Sequence, residues 1–240
     1  MKNKLVLTAV AAAVLGVLVT LPSFAQGIGT VQPFNGQSLD GWKPKVEGNT
    51  KSQWVVGSAK VDPANPKKLA VTPGGHELVN NTSGHGESLD LYSSALHGDA
   101  LITLDVMVPK ESNSGIYVMG EYEVQVLDSF GKDANPGPGD MGAIYGAQPP
   151  KNPKYKAPGE WNSYEIYWQA PKFDASGKKI ANAKFLKIVL NGVVIHENLE
   201  MKGPTPGGVD GKEKAMGPLL FQGNHGPVSY RNIKIAPLKQ

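Results

Sequence analysis

Short apolar runs punctuated by glycine and proline dominate the chain, and this is the pattern of strands joined by turns rather than of amphipathic helices. It predicts strands at Gln53–Val56, Lys68–Val71, Leu101–Val108, Gly115–Leu127, Ser163–Trp168, Phe185–Leu190, Val193–Glu197, Leu219–Gln222 and Ser229–Ile235, with few and short helix-like stretches between them. Asn191-Gly192, set between two apolar runs, supplies the two positive-φ residues of a tight hairpin turn. Strands of this number and length predict an all-β fold, two antiparallel sheets packed as a sandwich. The Pro- and Gly-rich segments 131–160 and 200–216 read either as functional loops carried by that scaffold or as plain insertions.

Within the run 115–127 the alternation is regular enough to assign faces. Ile116, Val118, Tyr122, Val124 and Val126 share one face, and Tyr117, Met119, Glu121, Glu123, Gln125 and Leu127 share the other. The first row belongs between the sheets, so the second is expected to face outward on an open groove. An aromatic ring, two carboxylates and an amide in one row are what polyol recognition needs. An ordinary solvated face would alternate in the same way, so periodicity leaves both readings standing.

The first 25 residues stand apart from the fold. Lys2 and Lys4 precede an apolar run from Leu5 to Leu21, and Ser23 and Ala25 are small residues at the positions a signal peptidase reads. The run is short and wrongly flanked for a stable membrane span. Residues 1–25 are therefore expected to be a signal peptide, cut after Ala25, and residues 26–240 a single exported domain, periplasmic or secreted, with no membrane span in the mature chain. Loss of Lys2 and Lys4, with no acid lost, takes the formal net charge from +3 to +1. Arg231 is the one arginine in the sequence, which leaves no array of guanidinium forks for phosphates or base edges and argues against a nucleic-acid partner. With no cysteine, disulfides, thiolate zinc sites and a thiol nucleophile are all excluded.

Six stretches taken in order, "FNGQSLDGW" (34–42), "NSGIYVMGEYEVQVLDS" (113–129), "GAIYG" (142–146), "GEWNSYEI" (159–166), "LNGVVIHEN" (190–198) and "GPLLFQGNHGPVSYRNIKIAPL" (217–238), resemble the exported 3-keto-disaccharide (3-keto-glucoside) hydrolase domains, formerly a domain of unknown function in the concanavalin A-like lectin/glucanase superfamily. The resemblance implies a concanavalin A-like jelly roll whose concave sheet carries the site, and a glycoside or oligosaccharide as the partner. It also marks departures. Met119 stands where many members have an arginine, and "FQGNHG" has one residue more than usual between Gln222 and His225.

The activity so implied is chemically specific. A ketone at C3 makes the hydrogen on C2 acidic, so a base can remove it, expel the C1 oxygen by β-elimination, and let water add back. Such a site needs a base, a polariser for the ketone and an acid for the leaving group. Glu123 is the leading candidate on the groove face, as base or as ligand of a divalent cation that polarises the ketone; a surface glutamate is the plain alternative. His225, in a tight turn before the last strand, is the second catalytic candidate. Gln125, Glu121, Asn113, Tyr145, Trp161 and Arg231 are the candidate substrate-binding residues: the amides for sugar hydroxyls, the aromatics for stacking, and Arg231 for a groove carboxylate such as Glu121 or Asp128 or for a structural ion pair. Asp128 is equally suited to capping the turn after its strand. His97 and His196 read as strand-edge or surface residues, and Trp42, Trp54 and Trp168 as core. Two rivals remain, a non-catalytic carbohydrate-binding module and a retaining glucanase, whose two carboxylates would sit about 5 to 5.5 Å apart.

Overall fold

A computed structural model describes residues 29–238. The signal peptide and the domain limits at residues 26 and 240 lie outside the described residues. Fourteen strands follow in chain order: β1 (Trp42–Pro44), β2 (Trp54–Asp62), β3 (Asn65–Asn80), β4 (Leu91–His97), β5 (Ala100–Met107), β6 (Asn113–Val118), β7 (Tyr122–Leu127), β8 (Asn162–Gln169), β9 (Lys172–Phe173), β10 (Lys179–Ala181), β11 (Ala183–Leu190), β12 (Val193–Met201), β13 (Gly217–Phe221) and β14 (Val228–Ala236). They form a five-stranded sheet in the order β1-β4-β13-β6-β7 and a seven-stranded sheet in the order β12-β11-β8-β5-β14-β3-β2, with β9 and β10 as a separate ribbon. All the pairings are antiparallel. The fold is the expected jelly-roll sandwich, and there is no helix among the described residues.

Every strand expected from the sequence lies on an observed one, with one change of kind. The run 115–127 is not a single strand but the hairpin β6–β7, turning at Met119-Gly120 with φ of 52° and 72°. Only Gly120 looks like a turn residue, because a methionine seldom adopts positive φ. The face assignment survives nonetheless. Three residues, Met119 to Glu121, separate the paired Val118 and Tyr122, and this odd-numbered loop sets Tyr117 opposite Glu123, Gly115 opposite Gln125, and Ile116 opposite Val124; residues directly opposite share a face. Val124 and Val126 are accordingly sealed between the sheets.

The core is a continuous layer of aliphatic and aromatic side chains in which Trp42, Trp54 and Trp168 are all buried. Beneath the five-stranded sheet the rings of Trp42, Phe221 and Tyr230 stack in succession, with centroids 5.3 and 3.9 Å apart. A smaller cluster of Leu69, Val79 and Met107, with Trp161 against it, lies on the outer face of the seven-stranded sheet. His97 and His196, expected near the surface, are buried instead. His97 Nε2 accepts the Met119 amide at 3.3 Å, and His196 Nε2 lies 2.8 Å from the Gly142 carbonyl.

Candidate functional site

The outward face of β6 and β7 is not an open groove. Glu123 is only 4% exposed and Gln125 6%, because two loops cover them. One loop carries "GAIYG" and runs along the free edge of β7: the Gly142 amide donates to the Gln125 carbonyl (2.8 Å), the Gln125 amide to the Ala143 carbonyl (2.9 Å) and the Tyr145 amide to the Glu123 carbonyl (3.4 Å). The other, residues 202–212, is tied to the hairpin turn. Thr205 Oγ1 accepts the Glu123 amide (2.9 Å) and donates to the Glu121 carbonyl (3.1 Å), while the Asp210 and Gly211 amides each donate to the Glu121 carboxylate at 3.0 Å. Edge groups that water would otherwise satisfy are paired by these loops, which makes them part of the sheet rather than insertions.

Beneath them is a pocket of about 220 Å³ lined by Asn113, Tyr117, Glu123, Gln125, Tyr145 and Gln222, with Pro206, Gly207 and His225 completing it. Gly115, directly below Glu123, is required by packing: a Cβ there would collide with the Glu123 carboxylate and crowd the Tyr117 ring. Gly207 is bound in the same way, since a Cβ there would meet the Tyr117 hydroxyl at 2.7 Å and its φ is 88°. Tyr117 Oη donates to the Pro206 carbonyl (3.1 Å) and accepts from Gln222 Nε2 (3.4 Å).

Burial pushes the Glu123 carboxyl up to about 7; the Tyr117 hydroxyl beside it pulls the other way, and the Asp90 charge pushes further up. Tyr117 is raised by burial and by Glu123, so it stays protonated at any working pH. His225 is lowered, first by burial and then by His85, whose ring meets it edge-on with centroids 4.7 Å apart, while Asp90 acts in the opposite sense. Its Nδ1 faces Asn224 Oδ1, a contact that favours the tautomer with the proton on Nδ1 and Nε2 as the basic nitrogen. The Asn113 Oδ1 atom is buried and without a partner.

The segment that carries Gln222 and His225 is clamped by buried polar side chains that sequence reasoning missed. Ser114 Oγ donates to the Gln222 carbonyl (2.7 Å), and Asn80 Nδ2 donates to the carbonyls of Gly223 (2.7 Å) and Gly226 (2.9 Å). Asp90 Oδ1 accepts the Gly223 amide (2.8 Å), and Ser112 Oγ donates to the Pro227 carbonyl (2.6 Å). Burial raises the Asp90 carboxyl although these amides and Lys45 pull it down. Such a web holds pocket groups in place before any ligand arrives.

Of the residues expected at the site, Glu123, His225, Gln125, Asn113 and Tyr145 meet in this pocket. Glu121 does not line it, because its carboxylate is taken by two loop amides. Trp161 and Arg231 lie on the outer face of the other sheet, where the guanidinium stacks 4.0 Å above the indole and Nε pairs with Asp105 at 3.2 Å. Asp128 caps its turn, accepting the amides of Glu111 (2.9 Å) and Phe130 (3.4 Å). Tyr117 and Gln222 are further lining residues, and the even register between Tyr117 and Glu123 was the signal available for the first of them. Among the described residues, no group of three or more His, Cys, Asp or Glu side chains converges.

Residues 29–236 match the family described as "3-keto-alpha-glucoside-1,2-lyase-like domain". Two crystal structures of candidate glycosyl hydrolases from Parabacteroides distasonis ATCC 8503 are similar in fold. One is 26% identical, covering 87% of this chain and 84% of that one with a TM-score of 0.65. The other is 20% identical, covering 88% and 94% with a TM-score of 0.58. Among curated proteins none matches the sequence.

Proposed function

Since the chain belongs to the 3-keto-alpha-glucoside-1,2-lyase-like domain family, we propose that it cleaves 3-keto-glycosides by elimination across C1 and C2, and that water then completes a net hydrolysis. The observation that carries this reading is a single buried carboxyl, Glu123, poised near neutrality in a sugar-sized pocket of amides and aromatic rings.

Glu123 takes the C2 proton. The C–H pair passes into the enolate of the C3 ketone, and the side-chain amides of Gln125 and Gln222, which line the pocket, polarise its oxygen. The enolate then re-forms the ketone, a C1=C2 bond appears, and the C1–O bond breaks with its pair leaving on the aglycone oxygen, which takes a proton from solvent. In the second half, neutral His225 accepts a proton from water as the water oxygen adds to C1, and Glu123 returns a proton to C2. Tyr117 remains a neutral donor that fixes the pocket wall. No step is routed through a metal.

A retaining glucanase is poorly served by this geometry, for Glu121 is held by backbone amides away from the pocket that contains Glu123. Export, with cleavage after Ala25, is part of the same proposal, because glycosides outside the cytoplasm would be the substrate pool.

The test is to incubate the protein with a glucoside and its 3-keto derivative side by side, in deuterated water. Release from the keto compound alone, with deuterium at C2 of the released sugar, is expected. Release from the plain glucoside, or product carrying no deuterium at C2, would defeat the mechanism. Binding of glycosides without release from either would make the protein a carbohydrate-binding module.

A further inference from the structure

Tyr145 and Pro206 line two cavities at once: the pocket of Glu123, and a neighbouring groove of about 570 Å³ on their other side. The two differ in chemistry. The pocket presents side-chain amides and a carboxyl, as a sugar ring requires. The groove is walled by the Tyr145 ring, Ala147, Leu199, Pro204 and Pro206. Of its polar side chains, Thr205 Oγ1 already donates to the Glu121 carbonyl and accepts the Glu123 amide, Glu200 accepts from Asn182 Nδ2 at 2.8 Å, and Lys202 is exposed.

A second sugar bound there would bring a hydroxyl on nearly every carbon against walls that offer few partners, and each polar group buried unpaired costs about 1 to 3 kcal/mol. A flat apolar ring has no such penalty and gains by stacking on a tyrosine and on proline faces. We propose that this groove is the aglycone subsite and that it selects an aromatic, phenol-type leaving group over a second sugar. The inference rests on the proposed elimination, and it seats the sugar with C1 toward the side where pocket and groove share Tyr145 and Pro206. The chemistry agrees. An aryl oxide leaves with the C1–O pair and needs no proton in the transition state, which suits a pocket whose histidine is kept neutral by burial and by His85.

The decisive measurement is binding, since unoxidised glucosides are not turned over by the proposed reaction. Calorimetry on the wild-type protein should give phenyl glucoside an affinity at least about tenfold above methyl glucoside and above a glucose disaccharide of the same anomer. Ala147 is exposed and outside the core, so Ala147→Asp should place a charge in the groove without disturbing the fold and bring the phenyl-to-methyl ratio toward one. Equal affinities in the wild type, tighter binding of the disaccharide, or a phenyl preference untouched by Ala147→Asp would overturn the subsite. Failure to cleave any 3-keto-glycoside would instead sink the reaction, and the binding ratios would still decide the subsite.

Discussion

A carboxylate that must take a proton from carbon at neutral pH needs a pKa close to the working pH, and at Glu123 burial supplies it. The rate of the elimination, as kcat/KM, should therefore rise with pH through about 7, the value to which the Glu123 carboxyl is pushed, and level off above it. Glu123→Gln, which keeps shape and hydrogen bonding while removing the charge, should lower turnover on the order of a hundredfold or more, the usual worth of a positioned base. The same shift has a cost in stability with a definite sign. The folded chain holds the proton between the ordinary value of 4.5 and about 7, where the unfolded chain has already lost it, so stability falls as pH rises across that window. Glu123→Gln should accordingly be more stable than wild type at pH 8, on the order of 3 kcal/mol, with the difference vanishing by about pH 4. Denaturant titrations at both pH values, alongside a pH–rate profile, check both parts. A profile that falls through pH 7 would make Glu123 the acid rather than the base.

At the scale of elements, the hairpin β6–β7 shows what period-two reading can and cannot deliver. Which residues face the pocket was legible, since a three-residue turn pairs odd with odd and even with even and so preserves the alternation from Gly115 to Leu127. The turn itself was not, because Met119 holds positive φ only through its setting: its amide is taken by His97 and its side chain is buried. By contrast Asn191-Gly192, with φ of 51° and 79° between the paired Leu190 and Val193, announces its two-residue turn openly. Strand β4 was missed for a related reason. Its buried positions include Ser93 and His97 while Leu96 is exposed, so the apolar pattern is absent and hydrogen bonds replace it, Ser93 Oγ accepting the Leu219 amide at 3.0 Å. The role of Glu121 is likewise a property of the loop that reaches it from about 90 residues away. Glu121→Ala should free the Asp210 and Gly211 amides, each bonded to a charged acceptor, and cost about 2 to 4 kcal/mol. Hydrogen exchange at those two amides should accelerate, and KM should rise more than kcat falls, because the loop supplies Pro206 and Gly207 to the pocket wall. Unchanged exchange there would show that the loop holds without the carboxylate.

Across the whole molecule, what the sequence could not reveal is which sheet each strand joins. Trp161 and Arg231 sit in strands or loops rich in polar residues, as site residues do, yet β14 belongs to the seven-stranded sheet and turns Arg231 outward beside Asp105 of β5. The clamps Asn80, Asp90, Ser112 and Ser114 were hidden for a complementary reason. Their partners are backbone atoms more than 100 residues away, and no local pattern records such a bond. The sandwich thus separates two polar clusters by a full hydrophobic core, one clamping the pocket and one closing the far surface. That separation can be measured. Arg231→Ala removes a guanidinium that stacks on Trp161 and pairs with Asp105, but the position is part-exposed, so the stacking is worth about 0.5 to 1 kcal/mol and the ion pair no more than that. A loss of roughly 1 kcal/mol in denaturant unfolding is expected, with kcat and KM for a 3-keto-glycoside unchanged. If Arg231→Ala raised KM severalfold at undiminished stability, the guanidinium would be a substrate contact after all, and the outer face of the large sheet, not the covered face of the small one, would have to hold the sugar.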